Sequence, residues 1–177
     1  MYEYRFQEDV CSFLVYSDAN WASNKQHRKS TSGGVIMHGS HFIKSWSKTQ
    51  TVVALSSAES ELYALVKASA ETLGMTSIFR DYGMNMKNVV LSDASAALGI
   101  VQRQGLGKIR HLDTSYLFVQ DLNAEKKMRY EKVDGADNVA DKLTKGLSRD
   151  LMIKHTSRIN GVFMEGRADV NPKLMQG

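Results

Sequence analysis

Two aspartates of this sequence occupy the same three-residue context, Ser-Asp-Ala, with Asp18 in the first copy and Asp93 in the second. Each copy follows a short apolar run of the kind that forms a β-strand. Ligand crevices in open α/β sheets lie at the carboxyl ends of strands, so two neighbouring strands would bring both carboxylates to one place. Glu61 and Asp141, in segments with helical patterns, are the candidates to join them.

Carboxylates gathered in one place repel each other and do not all stay ionised without a cation. A hard divalent ion such as Mg²⁺, with Mn²⁺ as the alternative, resolves that conflict through oxygen ligands. A cluster holding two such ions suits in-line attack on a phosphodiester, because one ion activates water and the other stabilises the leaving 3′ oxygen. The predicted catalytic and metal-binding residues are Asp18, Glu61, Asp93 and Asp141.

Each of these acids also has an ordinary structural interpretation. Asp18 could be a turn residue, and Asp93 could be the N-cap of a following helix. Glu61 could be a first-turn acid that complements the helix dipole, and Asp141 could be an exposed helix acid. Their combination in the order Asp, Glu, Asp, Asp, with the Glu on a helix and the last Asp on a late helix, therefore carries the hypothesis.

The elements that must position the acids follow from the hydrophobic pattern and the turn signals. Strands come first and strand–helix alternation follows, in the order β-β-β-α-β-α-α-β-α, which indicates an α/β fold with a mixed sheet and helices on its faces. Strands are predicted at 13–16, 35–37, 42–47, 88–91 and 127–133. Helices are predicted at 57–83, 94–104 and 111–122, and residues 137–143 are predicted to begin a last helix.

A capping box marks the start of the first long helix, with Ser56 as the predicted N-cap and Glu59 as its N3 partner. Capping gives Glu59 a structural task. Gly74 weakens the helix, so a kink there is the alternative to one straight helix. Asp137 is expected to cap the last helix.

Length and composition limit the class of protein. The 177 residues are 42% hydrophobic, enough for one domain, predicted at 12–147 between an N-terminal extension (1–11) and a partly disordered tail (148–177). Cys11 is the single cysteine, which excludes an intramolecular disulfide and a thiolate zinc cluster. The N-terminus lacks the pattern of a signal peptide and no apolar run is long enough to span a membrane, so we expect an intracellular protein, cytoplasmic or nuclear and not secreted.

The formal net charge is +4 and the pI about 9.1. This mild basicity is compatible with a nucleic-acid partner but is also common among other soluble proteins. Charge alone therefore does not indicate the function of the protein.

Sequence motifs are more specific. Seven blocks recur in order in one known family: YSDANWA (16–22), RKSTSGG (28–34), SWSKTQ (45–50), VALSSAESELYAL (53–65), LSD (91–93), KIRH (108–111) and ADNVADKLTKGL (136–147).

Over about residues 13–147 the chain resembles the ribonuclease H domain of copia-type LTR retrotransposon polyproteins. The resemblance implies the ribonuclease H-like fold, a mixed five-stranded sheet with flanking helices. It also implies an endonuclease that hydrolyses the RNA strand of RNA–DNA hybrids and that works with a reverse transcriptase domain of the same polyprotein.

The matched motifs choose between neighbouring acids. They select Glu61 over Glu59, and they select Asp141, three residues after Asn138, over Asp137. Cellular ribonucleases H often carry a His in the loop before the last Asp. The corresponding loop here, at 133–136, lacks it, and the copia-type domains lack it too. Phosphates and 2′-hydroxyls dominate the recognition of such hybrids. The candidate nucleic-acid contacts are Asn20, Arg28, Lys29, Lys108, Arg110 and Asn138.

Two alternatives to an active enzyme remain open. One is a catalytically silent module of the same fold that binds nucleic acid or a polymerase partner, and the other is a truncated copy of an element that is not expressed. A strand-transfer enzyme of the integrase type shares the fold, but its site ends in a Glu on a late helix. Here the Glu comes second and an Asp comes last, which excludes that class.

Overall fold

The structure is a computed structural model that describes residues 1–8, 10–103 and 115–163. The strands are β1 (Ser12–Asn20), β2 (Thr31–His38), β3 (His41–Thr49), β4 (Lys87–Ser92) and β5 (Arg129–Lys132). The helices are α1 (Ser57–Asp81), α2 (Ser95–Gln102), α3 (Ser115–Ala124) and α4 (Arg149–Arg158), with two 3₁₀ helices at Gly135–Asp137 and Val139–Leu143. The five strands form one sheet in the spatial order β3-β2-β1-β4-β5. Helices α1, α2 and α3 pack on one face of the sheet, and the second 3₁₀ helix and the residue after α4 pack on the other.

The sheet is mixed, because β1, β2 and β3 form an antiparallel meander whereas β4 and β5 run parallel to β1. The predicted α/β class, the mixed five-stranded sheet and the order of the first eight elements are confirmed. Within the described residues no helix is long and apolar enough to cross a membrane.

Both faces of the sheet are covered. On one face Phe13 and Val15 of β1 pack with Leu62 and Leu65 of α1. On the other face Tyr16 and its neighbours pack with Val139 and Ala140 of the second 3₁₀ helix and with Ile159 after α4. Alternation of side chains along β1 therefore sends odd-numbered residues toward α1 and even-numbered residues toward the C-terminal segments.

The segment predicted to be a tail contains helix α4. Ser148 is its N-cap, accepting a hydrogen bond from the Leu151 N–H, and Ile159 after it is 1% exposed. The helix buries only His155, and its apolar residues Leu151, Met152 and Ile153 are consecutive, so its sequence gives no apolar period. The packed structure thus continues past residue 147, and residues 164–177 lie outside the described part of the chain.

The N-terminal extension packs on the same end of the molecule. Tyr2 forms a β-bridge with Gly161 and stacks on Phe42, with ring centroids 4.4 Å apart. The Val162 N–H donates to the Met1 carbonyl over 2.7 Å. The first residues and the residues after α4 therefore hold each other against β3.

Three details of the helices differ from the prediction or refine it. Ser56 caps α1 as predicted, but Glu59 accepts from the Leu55 N–H, one residue before the cap. The helix then runs through Gly74 without interruption, because a single exposed glycine costs only about 1 kcal/mol, little against the packing of a 25-residue helix. The predicted helix at 111–122 begins at Ser115 in the described residues, and 111–114 lie outside them.

Two predicted caps are wrong. Asp93 does not cap α2; the N-cap is Ala94, and the Ser92 hydroxyl accepts from the Ala94 N–H, so the Asp93 carboxylate is left for another role. In place of an α-helix from Asp137 there are two 3₁₀ helices, and Asn138 caps the second by accepting from the Ala140 N–H. Asp137 instead pairs with Lys154 and Arg158, which tie it to α4.

Candidate carboxylate centre

Three of the four predicted acids meet at one place. Asp18 on β1, Asp93 after β4 and Asp141 on the second 3₁₀ helix each offer a carboxylate oxygen, and these oxygens lie within 4.8 Å of one another. Parallel pairing of β1 with β4 places Tyr16 beside Leu91, so both strands end at the same edge of the sheet. The strand β1 runs on to Asn20, two residues past Asp18, because its pairing with β2 continues there.

A glycine opposite Asp18 admits the third acid. Gly33 of β2 pairs with Asp18, and a Cβ atom at Gly33 would lie 2.6 Å from Thr144 Cγ2 and 3.0 Å from Leu143 Cβ. Such contacts are too short for any side chain, so only glycine lets the second 3₁₀ helix lie against the sheet. The small residue in β2 therefore sets the approach of Asp141 to Asp18.

Asn138 fixes that 3₁₀ helix to β1. It is fully buried; its Nδ2 donates to the Ser17 carbonyl over 3.0 Å and lies 3.5 Å from Asp93 Oδ1. Its Oδ1 accepts from the Ala140 N–H over 3.2 Å. The predicted contact of Asn138 with nucleic acid stays a prediction, and in this structure the side chain is completely buried. Its position makes it a support for the carboxylates.

Two residues beside Asp141 belong to the site and were missed in the sequence. The Thr144 hydroxyl donates to Asp18 Oδ2, and Lys145 Nζ lies 3.1 Å from Asp141 Oδ1 and 3.6 Å from Asp18 Oδ1. Both residues fall in the last matched block, three and four positions after Asp141, which was the available signal. They give the clustered carboxylates one hydrogen bond and one positive charge.

The electrostatics of Asp18 and Lys145 reflect this crowding. Burial raises the pKa of Asp18, and the neighbouring Asp141 raises it further, whereas the Thr144 hydroxyl and Lys145 act in the opposite direction. Burial alone would lower the pKa of Lys145, but the charges of Asp18 and Asp141 outweigh it and the pKa is raised. The lysine therefore stays protonated as a counter-charge to the two acids.

Glu61, the fourth predicted acid, lies in the second turn of α1 and outside the group of three oxygens. Burial, followed by the charges of Asp18 and Asp93, raises its pKa to about 8, although the Ala19 backbone N–H donates to it. Its Oε2 atom is buried and has no hydrogen-bond partner. Glu59 accepts a hydrogen bond from the Leu55 N–H, so of the two glutamates Glu61 is the one that interacts electrostatically with the aspartates.

The site fits a divalent cation. Three carboxylate oxygens converge within 4.8 Å, and a buried acceptor of Glu61 beside them lacks a partner. One buried and two partly buried acids held this close need compensating positive charge, and one lysine supplies only part of it. All the donor atoms are hard oxygens, the ligand type that Mg²⁺ and Mn²⁺ prefer.

The other predicted nucleic-acid contacts differ in their location and exposure. Asn20 Nδ2 donates to the Thr144 carbonyl over 3.0 Å, so this side chain supports the site. Arg28 is exposed and Lys29 half-buried, in a loop that Asn24 closes through backbone bonds to both residues. Lys108 and Arg110 lie outside the described residues.

Comparison with known proteins identifies the relatives of this chain. No family model matches it. The chain is 30% identical over 154 residues to the retrovirus-related Pol polyprotein from transposon RE1 of Arabidopsis thaliana, which covers 85% of this chain and 10% of that protein. It is 30% identical over 158 residues to the corresponding polyprotein from transposon RE2 of the same plant, covering 88% and 11%. The chain therefore spans about a tenth of the length of these relatives.

Among solved structures, LC11-RNase H1 in complex with an RNA/DNA hybrid matches with a TM-score of 0.54 and 20% identity, over 75% of this chain and 94% of that one. An identity this low shows the fold alone. Together with the sequence relatives it confirms the resemblance predicted from the motifs. The chain is a homologue of a segment of the retrovirus-related Pol polyproteins of copia-type transposons, and it has the ribonuclease H fold.

Proposed function

We propose that this chain is a metal-dependent ribonuclease H that hydrolyses the RNA strand of RNA–DNA hybrids. The observation that carries the proposal is the carboxylate centre, in which Asp18, Asp93 and Asp141 converge within 4.8 Å beside Glu61, whose Oε2 atom is buried without a partner. Such a group of acids is costly to a fold unless it binds cations, and it lies at the sheet edge where ligands of α/β folds bind.

Two findings support the substrate class. LC11-RNase H1, which shares the fold, is described in complex with an RNA/DNA hybrid. The sequence relatives are retrovirus-related Pol polyproteins, which favours reverse transcription as the setting and a reverse transcriptase domain of the same polyprotein as the partner. We place the protein inside the cell, in the cytoplasm or nucleus.

In the proposed reaction Asp18, Asp93, Asp141 and Glu61 would hold two Mg²⁺ ions, with Mn²⁺ as a substitute. When bound, the ions would lower the pKa of water and stabilise charge on the phosphate and the leaving oxygen. The protein's own contribution is orientation. Asn138 and Gly33 fix the 3₁₀ helix that carries Asp141.

Thr144 and Lys145 hold the acids themselves. The Thr144 hydroxyl fixes one oxygen of Asp18, and Lys145 lies between Asp18 and Asp141. An exposed cation at the mouth of the site is also suitably placed to neutralise an incoming phosphate. The basic loop with Arg28 and Lys29 is the other candidate phosphate contact among the described residues.

Cleavage of a short hybrid with a labelled RNA strand tests the proposal. We expect cleavage with Mg²⁺ or Mn²⁺, none with EDTA, and none of double-stranded DNA or RNA of the same sequence. Asp93→Asn should reduce the rate at least a hundredfold, whereas the matched variant Asp150→Asn, in the first turn of α4 away from the acids, should not change it.

A folded protein that binds the hybrid but does not cut it with either ion would contradict the proposal. That result would favour a silent binding module of the same fold. Circular dichroism of each variant separates loss of chemistry from loss of structure.

A further inference from the structure

A second site lies at the opposite edge of the sheet from the carboxylate centre. A groove with a volume of about 600 Å³ opens where the parallel strands β1, β4 and β5 begin, lined by Ser12, Lys87 and Arg129 among others. The strand β4 has six residues at about 3.3 Å each, so the groove and the acids are about 20 Å apart. Both can hold a ligand at the same time.

The rim of the groove is strongly basic. It carries Arg80 at the end of α1, Lys87 on β4, Lys126 and Lys127 in the turn after α3, and Arg129 on β5. Within the described part of the chain no acidic side chain lines the groove. This concentration of charge exceeds what the overall net charge of +4 would suggest, so it marks a site for an anion.

Three of these cations are not engaged by acids. No ion pair joins Arg80, Lys87 or Lys126 to any carboxylate of the described residues. Lys127 and Arg129 do pair, with Glu125 and Glu131, but both pairs are exposed. Exposed pairs contribute at most about 1 kcal/mol and are readily exchanged for a phosphate.

The floor of the groove is apolar. Leu73 of α1 and Met86 before β4 form it, and both are only partly buried against the core that lies between α1 and the sheet. Val89 also lines the groove, but its side chain packs with the core on the opposite face of the sheet. An anion that consisted of charge alone would leave this surface in contact with water. The groove therefore suits a ligand that combines closely spaced phosphates with flat apolar faces.

Buried hydrogen bonds hold the walls together. Asn88, 7% exposed, accepts from the Thr76 hydroxyl of α1 over 3.0 Å and donates to the Lys127 carbonyl over 3.3 Å. Lys126 has a positive φ of 57°, and the Lys127 N–H donates back to the Leu122 carbonyl over 3.0 Å, which ends α3 and turns both lysines toward the groove. The site is thus built before any ligand arrives.

From this geometry we propose that the basic groove binds single-stranded nucleic acid, with phosphates on the cationic rim and bases on the apolar floor. A duplex keeps its bases stacked and would offer the groove only phosphates, leaving the floor uncovered. A single strand presents both. Grooves that bind single strands without sequence preference combine cations for the backbone with side chains on which the bases stack, and here the aliphatic Leu73 and Met86 would take the place of the usual aromatic rings. The groove would hold unpaired strand beside a hybrid engaged about 20 Å away at the acids.

Fluorescence anisotropy of a labelled oligothymidylate with the 177-residue chain tests this proposal. The variant is Lys87→Gln/Lys126→Gln. The matched control is Arg5→Gln/Arg149→Gln, which also removes two exposed charges, taking the net charge from +4 to +2, at positions that do not line the groove. Each phosphate contact on a single strand contributes about 0.7 to the slope of log affinity against log salt.

Loss of two contacts should therefore reduce the slope by about 1.4 and weaken binding about 25-fold at 0.1 M salt. The control should bind like the unaltered chain, and the groove variant should still cut a short hybrid, which shows that its fold and its acid site are intact. If the chain cuts no hybrid but binds the oligonucleotide with these differences, the proposed activity fails and the groove assignment stands.

Three results would overturn the groove assignment. The first is no binding of the oligonucleotide by the unaltered chain. The second is equal affinity and equal salt slope for the groove variant and the control. The third is displacement of the oligonucleotide by inorganic polyphosphate of the same charge as effectively as by unlabelled oligonucleotide, since this would show that the bases do not use the floor.

Discussion

Replacing Glu61 by Gln should have opposite effects on the fold and on the metal site. The variant should relieve the loss of stability that the metal-free protein suffers at neutral pH, and it should weaken the effect of Mg²⁺ and abolish cleavage. In the metal-free protein the pKa of Glu61 is raised from 4.5 to about 8, first by burial and then by the charges of Asp18 and Asp93. The folded state thus holds this proton more tightly than the unfolded state. The stability that this proton contributes is fully present below pH 4.5 and is lost as the pH rises toward 8.

The size of the effect follows from the shift. One pKa unit corresponds to about 1.4 kcal/mol. At pH 7 the folded metal-free protein still holds this proton whereas the unfolded chain has released it, so the fold is less stable than at low pH by on the order of 3 kcal/mol. For a chain of this size 1 kcal/mol moves the melting temperature by roughly 2–4 °C. Between pH 5 and pH 7 the change is about 2.5 kcal/mol, so we expect the melting temperature to fall by about 5–10 °C in the presence of a chelator.

Thermal melts followed by circular dichroism at pH 5 to 8, with EDTA or with Mg²⁺, measure this. In Glu61→Gln the fall with pH should be smaller, with the remainder coming from Asp18, whose pKa is also raised, and Mg²⁺ should raise its melting temperature less than that of the unaltered chain. Hybrid cleavage should be lost. The matched control is Glu59→Gln, two residues away, which weakens the bond from the Leu55 N–H and should lower stability by a similar amount at every pH while cleavage persists.

The reasoning is refuted if the unaltered chain melts at the same temperature throughout this pH range in EDTA, or if Glu61→Gln keeps the full pH dependence. Loss of cleavage in Glu59→Gln with normal cleavage in Glu61→Gln would show that the wrong glutamate has been assigned to the metal site.

Further predictions concern the residues around the acids. Lys145→Met should lower the melting temperature of the metal-free chain and strengthen Mn²⁺ binding in a titration, because it removes the cation that competes for the acids; Lys142→Met, which makes no ion pair with any described acid, should do neither. Gly33→Ala should cost about 1–3 kcal/mol in urea unfolding and lower cleavage, because its methyl group overlaps the second 3₁₀ helix. Ser56→Ala should cost about 1 kcal/mol in the same assay without changing Mn²⁺ affinity, since it only uncaps α1.

The strand and helix order could be predicted from the sequence because local patterns carry it. The apolar run before Asp18 and the capping box at Ser56 each specify an element within a few residues. The repeated Ser-Asp-Ala context also predicted that Asp18 and Asp93 lie close together, since it places both at ends of strands. Recognition of the family followed from the same ordered blocks.

Local pattern failed where a tertiary contact decides the conformation. Helix α4 has no apolar stripe, because it buries only His155, and the contact with the sheet's core is made by Ile159 after the helix. The 3₁₀ helices replaced a predicted α-helix because Asn138 is drawn to the Ser17 carbonyl of β1, a partner 121 positions away. Neither contact leaves a trace in the neighbouring sequence.

For the site, the sequence by itself determined which acids are present, their order and the elements that carry them. The tertiary structure decided how they act on one another. Lys145 becomes the counter-charge of Asp18 only because Gly33 lets the 3₁₀ helix reach β1, and Glu61 acquires a pKa of about 8 only through burial beside two aspartates. Residue type and spacing encode chemical capacity, whereas distance and desolvation, which arise only when remote segments pack together, set the charge state.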